Sequence, residues 1–167
     1  VIILGGGVAD SINNNVLPFV DVPVGYWAYD YISKLFNQHI VNGRTASLFE
    51  PELHLNRAEM VKIALLANGY VVGTDKVSFK DINGTEWYAS IVATAKVNGI
   101  VVGFADGNFR ATQNVTWAEA LKILLRAAKK STANSGLSPF QDVKATDWWF
   151  DDVNFAYANG IVTGKTP

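Results

Sequence analysis

The chain repeats itself at intervals of about 60 residues, and this repetition restricts its fold more than any other feature. Three aspartates, Asp21, Asp81 and Asp142, align three segments without a gap, and they stand 60 and then 61 residues apart. Self-similarity at a fixed period indicates stacked copies of one supersecondary unit. The other residues that keep the same spacing are Phe19, Phe79 and Phe140; Trp27, Trp87 and Trp148; Ile40, Ile100 and Ile161; and Gly43, Gly103 and Gly164.

Each unit has the sequence pattern of two helices joined by a loop. Apolar residues recur three and four positions apart and predict first helices at 27–38, 87–98 and 148–159. The run "NGIV" then ends the helix, with glycine in the left-handed position that His39 takes in the first unit. We expect the three tryptophans in equivalent buried places. We expect each aspartate to bond backbone donors of the following turn or helix start.

The second helix of each unit begins with a recurring tetrapeptide, "NRAE" in the first unit and "TWAE" in the second. Asn56 and Thr116 are good N-cap residues, and Glu59 and Glu119 stand three positions after them. This is the pattern of a capping box, in which cap and glutamate bond each other's backbone amide. Helix capping therefore explains both glutamates without a role in binding.

Composition favours a folded protein and disfavours several partners. The 167 residues are 49% hydrophobic and 17% charged, which suits a buried core. The net charge of −1, without a long run of one sign, does not indicate nucleic acid or an anionic membrane surface as a partner. Cysteine is absent, which excludes disulfides and thiolate chemistry. The apolar start 1–4 is far shorter than the roughly 20 residues of a membrane helix, so we expect a short buried strand there and no membrane insertion.

Other motifs carry little chemistry. The glycine run in "VIILGGGVAD" does not open a helix, as a dinucleotide site requires, and "KDINGTEWY" fits a turn and helix start better than a calcium loop. His39 and His54 stand in no catalytic pattern. The acids Asp147, Asp151 and Asp152 suit a first helical turn, where the helix dipole favours them. We expect no enzyme, no catalytic or metal-binding residues and no cofactor.

Taken together, the motifs resemble tandem S-layer homology (SLH) domains. The resemblance rests on "FVDV" followed by Trp27, on "GIVVG" and "DGNF" in the second unit, and on the two tetrapeptides. It implies a mainly α fold of helix–loop–helix units packed around a pseudo-threefold axis, on an extracellular protein of the bacterial cell surface or wall. The expected parts are an N-terminal arm at 1–18, repeats at 19–78 and 79–139, and an incomplete third repeat at 140–167.

The resemblance also implies a ligand. SLH domains usually bind secondary cell-wall polysaccharide, often pyruvylated, in grooves between neighbouring repeats, with the arginine of the tetrapeptide as a main contact. Arg57 matches that arginine, and its guanidinium group can bind a carboxylate through two parallel hydrogen bonds. Trp117 takes its place in repeat two and can stack on a sugar face or join the core. Gly43 and Gly103, at a glycine position of the family, are assigned to the same sites.

Two functions remain open from the sequence. The first is a non-catalytic module that anchors to wall polysaccharide through the grooves. The second is a self-assembling extracellular structural subunit, which implies a homo-oligomer or larger assembly. In that case the arm 1–18 packs on the incomplete third repeat of the same chain or of a neighbour, where Phe155, Ala156 and Ile161 need cover.

Overall fold

A computed structural model describes residues 16–76, 79–132 and 138–164. This part of the chain is mainly helical and contains no strand, only an isolated bridge between Asn56 and Asn114. None of the described helices is long and apolar enough to cross a membrane. The five helices are α1 (Tyr29–Asn37), α2 (Arg57–Ala67), α3 (Ala89–Val97), α4 (Trp117–Ala127) and α5 (Phe150–Ala158).

The first helix of every repeat starts two residues later than the apolar pattern predicts, because a turn precedes it. The tryptophans lie in this turn, each in contact with the ring of an adjacent aromatic residue. They are equivalent, as predicted, but not buried: Trp27 is 64% exposed, Trp87 58% and Trp148 51%. The prediction of burial is wrong because residues in the turn do not share the buried face of the helix that follows.

The repeat aspartates bond backbone amides much further along the chain than predicted. Asp21 accepts hydrogen bonds from the amides of Phe49 (2.9 Å) and Glu50 (2.6 Å). Asp81 does the same with Phe109 (2.8 Å) and Arg110 (2.6 Å). In repeats one and two the aspartate therefore closes the loop ahead of the second helix, instead of starting the first one. The bond from Phe49 holds the pKa of Asp21 below its usual value.

The phenylalanine two residues before each aspartate packs in the same way in all three repeats. Its ring contacts the side chain 17 positions later. The ring also packs closely on the glycine after the first helix, because a Cβ built on Gly43, Gly103 or Gly164 would overlap it. This recurrence confirms the predicted tandem repeat. The three pairs, measured to ring centroids, are Phe19 with Phe36 (5.1 Å), Phe79 with the Lys96 ammonium (4.2 Å) and Phe140 with Tyr157 (5.2 Å).

The predicted helix ends are also confirmed. His39 has φ of 58°, Gly99 of 71° and Gly160 of 66°, so all three residues take the left-handed position that ends a helix. Gly99 and Gly160 have open space where a Cβ would stand, which indicates that backbone conformation is what favours glycine there.

Helix α2 packs against α3 and α4, and α4 packs against α5. The main core lies around α2 and α3 and includes the fully buried Val61, Leu65 and Phe109. A smaller cluster joins α4 to the third repeat, where Leu121 and Leu125 cover Ala156. Repeat two therefore supplies cover for Ala156.

Most of the N-terminal arm, with the strand predicted at 1–4, lies outside the described residues. Leu17 is described, and it is buried with Phe19, Val22, Ala28 and Ile32 of the first repeat.

Candidate functional site

Both capping boxes form as the tetrapeptides predict. The Asn56 side chain accepts a hydrogen bond from the Glu59 amide (2.9 Å), and Glu59 accepts one from the Asn56 amide (2.9 Å). Thr116 and Glu119 make the same pair of bonds at 3.3 and 2.9 Å. The two boxes fix the first turns of α2 and α4, so the residue that directly follows each cap projects from a defined position.

The start of α2 is also joined to the loop of the second repeat. The amide of Arg57 donates to the carbonyl of Gln113 (3.0 Å), and the amide of Ala58 donates to that of Ala111 (3.0 Å). The first turn of a helix leaves its amides without partners inside the helix. Here the neighbouring repeat supplies the acceptors, and Arg57 consequently lies between two repeats.

Arg57 is only 7% exposed. Its Nε donates to the carbonyl of Phe109 (3.1 Å), and its Nη1 donates to Glu119 Oε1 (3.0 Å). The guanidinium carbon lies 4.9 Å from the ring centroid of Phe104 and 5.0 Å from that of Phe109. Burial lowers the pKa of Arg57 and the charge of Glu119 opposes this, but an arginine in a protein stays protonated. The structure thus places a buried positive charge between repeats one and two.

Glu119 has a second role beside helix capping. Its Oε2 serves the capping box, while its Oε1 forms the ion pair with Arg57. Glu59 has a comparable arrangement, with Arg44 Nη1 at 3.3 Å from its Oε1. The interpretation of both glutamates as helix caps is therefore confirmed but incomplete.

A groove of about 480 Å³ opens beside this ion pair. It is bounded by the start of α2, by the loop after α3, by one face of α4 and by the turn before α5, so all three repeats contribute to it. The lining residues are Arg57, Ile100, Val101, Val102, Gly103, Phe104, Ala105, Glu119, Lys122, Ile123, Arg126 and Trp148.

Three of the lining side chains are cationic and one is anionic. Lys122 bonds Asp152 Oδ2 (3.1 Å) and the carbonyl of Trp148 (2.9 Å), and its ammonium lies 4.8 Å from the Trp148 ring centroid. Asp152 stands in the first turn of α5, as predicted, but it is only 5% exposed and also forms this ion pair. Within the described residues, the Arg126 side chain has no hydrogen bond or ion pair. The lining of the groove therefore carries a net positive charge.

Two of the four predicted binding residues line this groove and two do not. Arg57 and Gly103 do, although Gly103 also has a packing role, since its φ is 77° and a Cβ on it would overlap the Phe79 ring. Gly43 lies in the first repeat, and Trp117 is 46% exposed at the start of α4, away from the lining.

The sequence alone did not identify Lys122, Arg126 and the exposed face of Trp148 as parts of a site. A signal was present for two of them: Lys122 and Arg126 stand three and seven positions after Glu119, which places them on one face of α4. Trp148 comes from a different repeat, and its approach to this face depends on how α5 packs.

The acidic segment 80–88 behaves as a turn, as predicted. Glu86 accepts hydrogen bonds from the amides of Asn83 (3.0 Å) and Gly84 (2.9 Å), and the first of these lowers its pKa. Asp106 of the "DGNF" loop bonds Arg110 (3.0 Å). Across the described ranges, no three potential metal-ligating side chains form a group.

The sequence model of the S-layer homology domain matches residues 18–61, 78–121 and 139–167, which is more than half of the chain. The chain belongs to the SLH family. Its three matched segments agree with the three repeats seen in the packing of the phenylalanines, and they make the chain a module of the bacterial cell surface.

Relatives that contain this module include proteins named as enzymes and proteins named as S-layer proteins. The chain is 34% identical to an amylopullulanase of Thermoanaerobacterium thermosulfurigenes, with 83% of this chain and 8% of that protein aligned. It is 32% identical to the exoglucanase XynX of Acetivibrio thermocellus, over 83% of this chain and 13% of that protein. It is 29% identical to the S-layer protein sap of Bacillus anthracis, over 87% and 18%. The SLH segment is thus a small part of these relatives, shared between proteins named as enzymes and as S-layer proteins.

Proposed function

We propose that this SLH module anchors its protein to secondary cell-wall polysaccharide, and that the groove beside Arg57 is the binding site. The observation that carries the proposal is the lining of that groove: Arg57, Lys122 and Arg126 against the single carboxylate of Glu119. Such a lining suits a polymer with acidic substituents, including the carboxylate of a pyruvyl ketal. The exposed half of the Trp148 ring adds a flat apolar face of the kind that stacks on a sugar.

The module is proposed to be non-catalytic. The same segment is shared by an amylopullulanase, an exoglucanase and S-layer proteins. A segment common to proteins of such different names is better suited to attachment than to any one of their reactions.

Within the groove, we propose that Arg57 and Gly103 take different parts. Arg57 holds the wall between two repeats through Phe109 and Glu119, and its remaining N–H groups have no acceptor within the described residues. Gly103 lets the loop that lines the groove approach the Phe79 ring closely. In the repeat register Gly43 and Trp117 correspond to Gly103 and Arg57, and we propose that Trp117 offers stacking in place of an ion pair.

The test is cosedimentation with purified wall polysaccharide still linked to peptidoglycan. Arg57→Gln removes a cation that bonds a capping-box glutamate beside the groove. Arg44→Gln is its matched control, because Arg44 bonds the equivalent Glu59 (3.3 Å) outside the groove. We expect Arg57→Gln to reduce the bound fraction and Arg44→Gln to leave it near that of the wild type. Equal binding by both variants and the wild type would remove Arg57 from the proposal, and absence of wild-type binding would overturn it.

Self-assembly is a second candidate, and it is favoured by the half-exposed tryptophans at equivalent positions of the three repeats. Three similar apolar patches can support contacts between copies of the chain. Electron microscopy of the purified protein would reveal filaments or sheets, and these would persist in Arg57→Ala. If they form, removal of residues 1–15, which keeps the buried Leu17 in place, tests the part played by the N-terminal arm. Dispersed particles at all concentrations would contradict assembly.

A further inference from the structure

We propose that Arg126 is the residue that binds the acidic group of the polymer, and that Arg57 acts by positioning the groove wall. This inference rests on the proposed function and names the contact that gives the groove its preference for an anion. The chemistry recognised is a carboxylate or a phosphate carried on a sugar chain, since arginine binds both through paired N–H groups.

The first argument comes from what each cation already bonds. Arg57 bonds Glu119 and the Phe109 carbonyl and lies between two rings. Lys122 bonds Asp152 and the Trp148 carbonyl. A ligand at either of these two cations would share it with a protein carboxylate. The Arg126 side chain makes no hydrogen bond or ion pair within the described residues. Its guanidinium group can therefore bind an anionic ligand without breaking an existing ion pair.

The second argument comes from the comparison of repeats. Arg126 stands 60 positions after Leu66, which occupies the equivalent site near the end of α2 and is half-buried. A leucine at that site shows that the repeat fold does not require a cation there. The charge is therefore additional to the fold, and it is placed where the groove lies.

Arg126 could also serve only to stabilise α4, and experiment can distinguish this role from ligand binding. A cation in the last turn of a helix interacts favourably with the helix dipole. That role affects the melting temperature and is independent of any ligand. Lys130 is the matched control, since it lies just beyond the same helix end, is exposed and does not line the groove.

The experiment is isothermal titration of soluble wall polysaccharide into wild type, Arg126→Gln, Arg126→Leu and Lys130→Gln. Arg126→Leu copies the residue that repeat one tolerates, so at least one variant should fold, and melting temperatures check this. We expect both Arg126 variants to bind roughly ten- to a hundredfold more weakly, the range for a hydrogen-bonded charged contact. Lys130→Gln should bind as the wild type does.

Two chemically treated polymers show whether the bound anion is a carboxylate or a phosphate. In one the carboxylates are reduced to alcohols, and in the other hydrofluoric acid removes the phosphodiesters. One treatment should weaken wild-type binding about as much as Arg126→Gln does, and the same treatment should have little further effect on that variant. Undiminished binding by Arg126→Gln overturns the proposal, as does a variant that stays as sensitive to both treatments as the wild type. If the wild type does not bind the native polymer, the proposed function itself fails.

Discussion

The charge of Arg57 lies between two repeats and is balanced by a carboxylate that also caps a helix. Loss of that carboxylate would leave a nearly buried cation without its partner, and unpaired buried charge is costly. Glu59 stands in the equivalent position in repeat one, but its partner Arg44 is 41% exposed and can turn to solvent. Two residues with the same local role therefore differ in their long-range role.

We predict that Glu119→Ala destabilises the protein more than Glu59→Ala does. Loss of the capping bond costs about 0.5–2 kcal/mol in either variant, and the unpaired Arg57 raises the cost in Glu119→Ala to about 3 kcal/mol. Urea unfolding followed by circular dichroism measures both. Equal losses would show that the Arg57–Glu119 ion pair contributes nothing beyond the cap.

Gly103 gives a second prediction at this scale. Gly103→Ala must take a φ of 77° and also displace the Phe79 ring, whereas Gly99→Ala takes a φ of 71° with open space around the new Cβ. Left-handed backbone costs an alanine about 1–2 kcal/mol, so Gly99→Ala should lose that amount and Gly103→Ala clearly more. Thermal unfolding of the two variants tests this, and similar melting temperatures would contradict the packing role of Gly103.

At the scale of helices, the sequence predicted the position of each helix well. It predicted the burial and the contacts of the residues around the helices less well. The helix pattern is local, and it placed all five described helices, with an error of two residues at the start of the first helix in each repeat and of one residue at its end. The exposure of Trp27 and the distant partners of Asp21 depend on contacts across the loop, which periodicity does not encode. Arg57 could be recognised as a site residue from a family motif. Arg126 could be recognised only from the three-dimensional position of α4.

The contact between α4 and α5 gives the prediction for this scale. Asp152 on α5 is buried and bonds Lys122 on α4, and Thr132 Oγ1 donates to it as well (3.1 Å). Asp152→Ala should loosen α5 and increase the hydrogen exchange of its amides by about tenfold or more. Lys62→Ala is the matched control, since Lys62 is the repeat-one equivalent of Lys122 and lies 6.0 Å from the Trp87 ring centroid. Unchanged exchange in α5 after Asp152→Ala would show that apolar packing alone holds the third repeat.

At the scale of the whole molecule, the question is how one small module can hold a protein on a wall. The groove beside Arg57 has few polar contacts to offer, and a charged hydrogen bond contributes only about 1.5–3 kcal/mol. Even millimolar affinity requires about 4 kcal/mol. A single groove should therefore be a weak anchor, and firm attachment should depend on many copies that bind one polymer network together.

We predict that the isolated module binds soluble polysaccharide weakly, with a dissociation constant in the micromolar to millimolar range. Displayed densely on beads, it should bind wall fragments about 10²–10⁴ times more tightly, because the later contacts are intramolecular. Salt should weaken both kinds of binding, since charges are screened over about 8–10 Å at physiological ionic strength. Titration in solution, and bead binding at several densities and salt concentrations, measure these effects. Nanomolar binding by the dispersed module, unaffected by salt, would contradict a single electrostatic groove as the anchor and would point to a larger apolar contact, for which the exposed tryptophans are the first residues to substitute.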